Sequence, residues 1–471
     1  MRRAALLTLI VAGVAHAEPP APDVPALGLA QAIDYARAHQ PAVRAAKARI
    51  ASGEATAKIA DAEWLPRLGV TAQMFAGTAN QTTGSYVTVD VPDIPRIGGT
   101  RATATGSFKP YASTLVGVGA NQEIYDFGRI AAERAAGDAA VTVERERALG
   151  AILDVTYDVE EAYFAVLAAK AVVKASEDAY ERARAHRDFA RAGVHSGLRP
   201  PIESTRAEAE LARLDIGRIR AHGNVASAEV VFAATVGVPE PLLDAATEGA
   251  TTTGTPGLDL AVRATDAAEM PALDVALKRA AEHDPEFLQA LAELHAEEAR
   301  TRAVGAALRP DLSLTASLTG RAGGAPPSGN GIPADQDGFL PNVPNWDVGA
   351  VFTWPLFDGV VNARKTASRA EERVRREEVA AVRMRETADV RRAYAAVDVA
   401  RAALPGLARA VDAARANYAQ ADARFGAGLG TSVELADAES LRTSADIELA
   451  LGAFELARAR ARFGRAIGEK L

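Results

Sequence analysis

Two stretches of this 471-residue chain decide its fold, LAQAIDYARAHQP at residues 29–41 and LDVALKRAAEHDP at residues 273–285. Both have apolar residues at helical spacing and end in proline, which stops a helix. Further pairs follow in the same order along the chain: Pro66 and Pro310, YDFG at 125–128 and FDG at 357–359, and Gly197-Leu198 and Gly428-Leu429. Matches in one order predict a duplicated structural unit.

Each repeat has the pattern of helix, strand, strand and helix. We assign residues 18–240 to the first repeat, 241–270 to a Thr- and Gly-rich linker, and 271–471 to the second repeat. Along each repeat, the spacing of the apolar residues changes from the helical period of about 3.6 residues to the strand period of two residues, and then back to the helical period. The predicted elements are strands at 66–76, 112–124, 310–320 and 345–356, long helices at 128–192 and 359–424, turns at 193–200 and 425–430, and helices at 201–236 and 431–467.

The strands carry the signature of a membrane-facing sheet. The clearest one alternates apolar and small or polar residues from Trp346 to Trp354. Aromatic residues are concentrated in the strand regions, as in an interfacial girdle, and we expect Trp346, Phe352 and Trp354 to face lipid. A soluble sheet core is the alternative, but the alanine-rich helices offer little bulky apolar surface to cover such a sheet.

Four strands cannot close a membrane-spanning barrel by themselves. The smallest such barrels have about eight strands, and an open sheet edge is not tolerated in lipid. Two or three copies would supply eight or twelve strands, so we expect association. The long helices, about 98 Å at ~1.5 Å per residue, exceed a hydrocarbon core of ~30 Å and must project from the membrane.

The N-terminus predicts export from the cytoplasm. Residues 1–17 contain Arg2 and Arg3, an apolar run and an A-x-A site, which is the pattern of a signal peptide. A net charge of −8 argues against a nucleic-acid partner. The chain has no cysteine, which excludes disulfides and a lipid anchor attached through an N-terminal cysteine.

No enzymatic pattern stands out. The histidines lack metalloprotease spacing, and the GVHSG stretch at 193–197 places its serine one position too late for a nucleophile elbow. The GAGLG stretch at 426–430 follows a helix, not a strand, so it indicates a chain reversal and not a dinucleotide loop. We therefore expect no enzyme activity, no cofactor and no metal site.

The duplicated helix start, the Leu-Pro-x-Leu strand entry at 65–68, the Asp-(Phe)-Gly strand exits and the GLGTSVELADA turn at 428–438 resemble the TolC family of outer-membrane efflux proteins. The resemblance covers nearly the whole mature chain. It implies a mainly helical fold with a transmembrane β-barrel: a homotrimer with one twelve-stranded barrel and a twelve-helix periplasmic α-barrel. It also implies a Gram-negative outer membrane channel that exports drugs, toxic compounds or proteins with a periplasmic adaptor and an inner-membrane transporter.

The resemblance also implies functional residues. The turn residues should dock the adaptor, although they could simply reverse the chain: Val194, Ser196, Gly197, Leu198, Gly428, Leu429, Gly430 and Thr431. Glu434 and Asp437 match carboxylates that line the periplasmic aperture, although acids are also favoured near a helix N-terminus. Relatives place a gate-locking tyrosine and arginine where this chain has Phe425 and Gly430, so we expect Phe425 to hold the aperture by apolar packing.

One other class of protein shares the long helices. A periplasmic coiled-coil adaptor or a surface stalk could bury its strands in a soluble domain. Such a protein would not need lipid-facing alternation in four strands with long loops.

Overall fold

The computed structural model describes residues 26–78, 110–238, 244–245, 270–323 and 343–469. The predicted signal peptide and most of the predicted linker lie outside these ranges. The described residues belong to two compact units. The sheet unit comprises the described parts of 42–154, 271–394 and 464–469, and the turn unit comprises those of 26–41, 155–270 and 395–463.

The element order repeats the same pattern twice. The elements are β1 (Ala26–Leu27), α1 (Leu29–His39), α2 (Pro41–Ala62), β2 (Arg67–Thr78), β3 (Pro110–Tyr125), α3 (Arg129–His195), α4 (Pro201–Val236), β4 (Asp244–Ala245), α5 (Leu273–His283), α6 (Pro285–Ala306), β5 (Asp311–Gly323), β6 (Val343–Thr353), α7 (Gly359–Gly426) and α8 (Ser432–Ala466). No helix in the described ranges is both long and apolar enough to cross a bilayer.

Proline positions explain the paired short helices. Pro41 and Pro285 begin α2 and α6, and the residue before each proline has an extended backbone that ends the preceding helix. Asp284 also caps α6, because its side chain accepts a hydrogen bond from the Glu286 amide at 3.0 Å. In both repeats, therefore, a residue-proline pair (Gln40-Pro41 and Asp284-Pro285) ends one helix and begins the next.

The sheet of the sheet unit is antiparallel throughout, in the order β2-β3-β5-β6. Strands of the two repeats meet in the middle, where β3 pairs with β5. All four strands differ from the predicted bounds by one to three residues at each end. The largest differences are that β5 continues to Gly323 and that β6 ends at Thr353, so Trp354 lies one residue beyond it. Among the described residues, β2 and β6 each pair on one side only.

Alanine dominates the helix contacts. In the sheet unit, a Cβ added at Gly137 on α3 would lie 2.9 Å from the Ala57 Cα of α2, so the two backbones approach closely. In the turn unit, α3 and α4 share a small cluster of Ala179, Ala183, Leu211 and Leu214. Small residues permit tight helix pairing, and this pairing replaces a thick apolar core.

A short parallel bridge was not anticipated from the sequence. Within the turn unit, Ala26 and Leu27 of β1 pair with Asp244 and Ala245 of β4. Lys170 of α3 forms an ion pair with Asp244. Two-residue strands have no period to detect, so only the folded chain reveals this pairing.

Candidate functional site

The two faces of the sheet differ in chemistry. Residues that face each other across neighbouring strands share a face, and the register joins Val70, Val118 and Leu318 to Trp346 in one row. This face is apolar and exposed: Trp346 is 77% and Val348 is 60% exposed. Its members include Leu68, Val70, Ala72, Val116, Val118, Ala120, Leu314, Ala316, Leu318, Trp346, Val348, Ala350 and Phe352.

The opposite face is small and polar. Ser313, Thr315, Ser317 and Thr319 of β5 are buried there, although hydroxyl residues normally favour water. Gly117, Gly119 and Gly349 occupy the same face in the paired strands. An apolar exposed face and a polar covered face are the reverse of a soluble sheet, and match a wall between lipid and water.

Two of the three predicted girdle residues lie within strand β6, and the third lies just beyond its end. Trp346 and Phe352 lie on the exposed apolar face, and Trp354 is also exposed just beyond β6. Phe352 contacts Phe127 edge-on, with ring centroids 6.4 Å apart. Together these rings give the sheet an aromatic margin at the end where the strands lead into helices.

Two equivalent turns reverse the long helices of the turn unit. Gly197 and Gly428 have φ values of 73° and 75°, a region that favours glycine. The Leu198 amide donates to the Gly193 carbonyl and the Leu429 amide to the Arg424 carbonyl, both at 2.9 Å. The first turn begins later than predicted, because α3 continues to His195 and includes Val194.

The other predicted docking residues are accessible in these turns. Ser196, Gly197, Leu198, Gly428, Leu429 and Thr431 are exposed, whereas Val194 and Gly430 are partly buried. A Cβ on Gly430 would lie 3.1 Å from the Phe425 amide nitrogen. The two exposed leucines, Leu198 and Leu429, are the most prominent apolar side chains of the turns.

Phe425 lies in a cluster between the two turns and not on a surface. Its ring is 2% exposed and contacts His186 and Phe189, with centroid distances of 4.5 and 5.6 Å. The Arg199 guanidinium stacks 3.8 Å from the centroid of the Phe425 ring and donates a hydrogen bond of 2.6 Å to the Phe425 carbonyl. Glu203 holds Arg199 through an ion pair of 2.6 Å.

Burial changes the acid–base properties of this cluster. Burial, followed by the nearby positive charge of Arg199, lowers the pKa of His186. A neutral imidazole is thereby favoured against the Phe425 ring.

The predicted aperture carboxylates are close together on α8. Glu434 and Asp437 are both exposed, at i and i+3 on one face of the helix. Arg424 of α7 lies 3.8 Å from the Glu434 carboxylate, a loose contact between exposed groups. No group of three or more His, Cys, Asp or Glu in the described part of the chain is placed to hold a metal ion.

A buried ion pair lies on the same helix. Glu439 accepts hydrogen bonds from both Arg182 Nε and Arg182 Nη2, the shortest being 2.7 Å, and its side chain is only 5% exposed. Burial opposes the charge on Arg182, but the hydrogen bonds that Arg182 donates to Glu439, together with the negative charge of that carboxylate, outweigh it, so the pKa of Arg182 is raised. This pair fixes α3 of the first repeat to α8 of the second.

Comparisons with known proteins agree with this architecture. The family described as outer membrane efflux protein matches residues 32–238 and 276–469. The chain belongs to the outer membrane efflux protein family. The predicted family and the predicted mainly helical, duplicated helix-strand-strand-helix fold are therefore confirmed. No curated protein sequence matches the chain.

Solved outer-membrane channels share the fold at low sequence identity. The outer-membrane channel OprN is 19% identical with a TM-score of 0.68, over 94% of this chain and 90% of OprN. CmeC of Campylobacter jejuni is 15% identical with a TM-score of 0.70, over 94% and 85% of the two chains. The open state of MtrE of Neisseria gonorrhoeae is 19% identical with a TM-score of 0.66, over 93% and 88%.

The structure describes the surroundings of the predicted aperture residues. The buried ring of Phe425 packs against His186, Phe189 and Arg199 within the turn unit. Its role at the aperture stays a prediction, as do those of the exposed Glu434 and Asp437. Sequence reasoning missed Arg199 and His186, because their partner Phe425 is more than 220 residues away along the chain.

Proposed function

We propose that three copies of the chain form an outer-membrane channel that exports small molecules or proteins from the periplasmic side to the exterior. The observation that carries the proposal is the sheet with an exposed apolar face, a buried polar face and, among the described residues, edge strands β2 and β6 that pair on one side only. Pairing β6 of one copy with β2 of the next would close the sheet and leave no edge in lipid.

A pair of arginine substitutions tests the assignment of the two faces. Val348 points to the apolar face and its neighbour Gly349 to the polar face, where a Cβ would meet the Thr315 Oγ at 3.6 Å. Val348→Arg should weaken insertion by about 2–4 kcal/mol if that residue faces the mid-bilayer, and Gly349→Arg should cost much less. The measurement is the amount of heat-modifiable trimer in the outer-membrane fraction, and equal tolerance of both variants would contradict the faces.

The described part of the turn unit also has two helices with one exposed side. Helix α4 exposes an uninterrupted heptad seam along one side, and so does the part of α7 within this unit. The seam of α4 consists of Ile202, Thr205, Ala209, Ala212, Ile216, Ile219, Gly223, Ala226 and Val230. The seam of α7 consists of Val399, Ala402, Gly406, Arg409, Ala413, Ala416, Gln420 and Ala423.

The composition of the seams supports contact between copies. Small residues on both helices would allow close approach, and α4 leaves a turn while α7 enters one, so the two would run antiparallel. The chain lacks cysteine, so the double variant Ala212→Cys, Ala413→Cys carries only the two introduced thiols. Oxidation should join these cysteines between copies and give covalent dimers and trimers on a denaturing gel. The control is Ala207→Cys with Ala413→Cys, because Ala207 lies on the same helix but is buried. Equal cross-linking of the control pair would refute the seam contact.

We propose that Glu434 and Asp437 line the periplasmic entrance. Three copies would place six carboxylates around a narrow opening, where they would concentrate cations. In single-channel recordings, the double variant Glu434→Gln, Asp437→Asn should lose cation selectivity and block by multivalent cations. Unchanged selectivity and block would place these carboxylates outside the conducting path.

We propose further that the exposed turns dock a periplasmic adaptor, which links the channel to an inner-membrane transporter. Gly428→Glu should abolish export without lowering the amount of trimer, because Gly428 is exposed and has no neighbour within 4 Å of an added Cβ. Its positive φ adds some strain, so Ala427→Glu in the same exposed turn serves as the unstrained companion. Loss of the trimer in both variants would make the turn structural.

A periplasmic adaptor or a surface stalk is the other candidate. It does not account for the match to the efflux family over both repeats. It also gives no reason for the exposed apolar face of the sheet.

A further inference from the structure

The second repeat remains apolar and exposed where its strand leads into its long helix. After β6 ends at Thr353, the side chains of Trp354, Leu356, Phe357 and Val360 are all exposed, Phe357 by 81% and Val360 by 59%. We call these four residues the junction belt. Asp358 fixes the start of α7, because its carboxylate accepts hydrogen bonds from the Val360 and Val361 amides at 2.7 and 3.1 Å.

Positive charge follows directly after the junction belt. Arg364, Lys365 and Arg369 occupy the first three turns of α7, and no acidic residue occurs between Asp358 and Glu371. Arg364 and Arg369 are exposed, and Lys365 is half-buried beside Gly305 of α6. Within the described ranges, none of the three forms an ion pair with a carboxylate.

Helix geometry directs one of these charges toward the junction belt. Val360 and Arg364 are four residues apart and therefore share a face of α7, about 6 Å apart along its axis. Side chains on a helix lean toward its N-terminus, which here is the end that carries the belt. A guanidinium next to exposed aromatic and aliphatic side chains is the arrangement that suits a lipid phosphate above its acyl chains.

The charges at the same junction of the first repeat have a different arrangement. Arg129 is paired with Glu63 at 2.8 Å, and Arg134 with Asp138 at 3.0 Å. Tyr125 and Phe127 are exposed at this junction as well, by 55% and 45%. Both repeats therefore present apolar side chains here, and they differ in charge: the first repeat pairs these two arginines with carboxylates, whereas Arg364 and Lys365 form no such ion pair within the described ranges.

We infer that the junction belt with Arg364 and Lys365 binds the phosphate headgroup of an anionic phospholipid in the periplasmic leaflet. The inference rests on the proposed outer-membrane placement, which sets the helix side of the sheet toward the periplasm. The acyl chains would cover Trp354, Leu356, Phe357 and Val360, and the phosphate would accept hydrogen bonds from Arg364. Each basic residue near a membrane surface strengthens binding of anionic lipid about fivefold.

Trp354 provides the probe within the junction belt. The full chain, with Trp64→Phe and Trp346→Phe so that Trp354 alone fluoresces, is reconstituted in phosphatidylcholine bilayers. Brominated phosphatidylglycerol or brominated phosphatidylcholine is then titrated in, and quenching of Trp354 gives the relative association of the two lipids. We expect phosphatidylglycerol to be preferred by roughly fivefold or more, and the preference to weaken in high salt.

Charge variants separate this site from a general surface effect. Arg364→Gln with Lys365→Gln should bring the preference to about one. The control, Arg134→Gln with Arg145→Gln, removes the same charge from basic residues that already have carboxylate partners, and should leave the preference unchanged.

The outcomes distinguish the two proposals. Equal quenching by the two lipids in the parent, or an unchanged preference in the Arg364 and Lys365 variant, would overturn the lipid site while the channel stands. Quenching by neither lipid would instead contradict the membrane placement on which both rest.

Discussion

In each repeat a short helix crosses a long helix, α2 with α3 and α6 with α7. The two crossings occupy equivalent positions, but different side chains make the contact. In the first repeat, Gly137 of α3 lies directly against Ala57 of α2. In the second repeat, the corresponding residues are Ser368 of α7 and Thr301 of α6, whose hydroxyl oxygens are 2.9 Å apart. Ser368 also donates a hydrogen bond of 2.7 Å to Glu297.

The difference shows which features the duplicated fold requires. Both crossings need small side chains so that the helices can approach closely. The first crossing is made by direct contact with the backbone, and the second by a buried hydrogen bond between two hydroxyl groups. The surrounding ion pairs follow the same plan, with Arg145–Glu54 in the first repeat and Arg376–Glu298 in the second. The repeats thus share geometry and diverge in the chemistry of individual contacts.

Among pairs of equivalent residues in the two repeats, Glu439 and Glu208 should differ most in how much stability is lost when each is replaced by alanine. Glu439→Ala leaves Arg182 half-buried without its bidentate partner and should destabilise the turn unit by about 3 kcal/mol. The equivalent residue of the first repeat, Glu208, makes only a 3.8 Å contact from an exposed position, and Glu208→Ala should change stability by less than ~0.5 kcal/mol. Hydrogen exchange of α8 amides measures the first change and that of α4 amides the second, and similar losses of protection would show that burial does not distinguish the two carboxylates.

Replacing the long-helix residue at each crossing should destabilise both repeats. Gly137→Ser places a Cβ 2.9 Å from the Ala57 backbone and should cost about 1–3 kcal/mol by overpacking. Ser368→Ala leaves the Glu297 carboxylate and the Thr301 hydroxyl without their partner and should cost a similar ~1–3 kcal/mol. Hydrogen exchange of α2 and α6 amides reports each change, and unchanged protection in a variant would mean that its crossing does not depend on the replaced residue.

A smaller, pH-dependent difference is expected between His186 and its equivalent, Asn417. Because the folded pKa of His186 is lowered, the unfolded chain binds more protons once the pH falls below about 6.5. Protection of amides around Phe425 should therefore be complete above that pH and decrease as the solution is acidified.

The charged neighbours of His186 are Arg199, Asp422, Glu203 and Glu210, and they remain in place in the control variant. His186→Asn, which copies the second repeat, should remove the decrease of amide protection that acidification below about pH 6.5 causes. If the acid sensitivity persists unchanged in that variant, it arises from another group.

The smallest effect is expected at the repeated surface ion pairs. Arg145 and Glu54 are both about half exposed, and the Arg376–Glu298 contact is 4.0 Å long. Glu54→Gln and Glu298→Gln should each change stability by less than ~0.5 kcal/mol, measured by thermal unfolding followed by circular dichroism. A loss well above that value in one repeat would reveal a network that the other repeat lacks.

The sequence by itself determined the duplication, the family and the order of elements. These follow from local signals: prolines between short helices, glycines at reversals and a change of period from helical to two. The girdle residues Trp346 and Phe352 could be placed on one face because alternation along a strand is also local.

Only the tertiary structure decided the contacts between distant segments. The burial of Phe425, its clamp by Arg199, the Arg182–Glu439 pair and the β1–β4 bridge join residues that are more than 200 positions apart. Such partners leave no period or spacing in the sequence, because they depend on how the helices of one repeat pack against those of the other. An arginine looks alike in sequence whether it is paired with a buried glutamate, as Arg182 is, or exposed, as Arg364 is, and only the folded chain shows which surroundings it has.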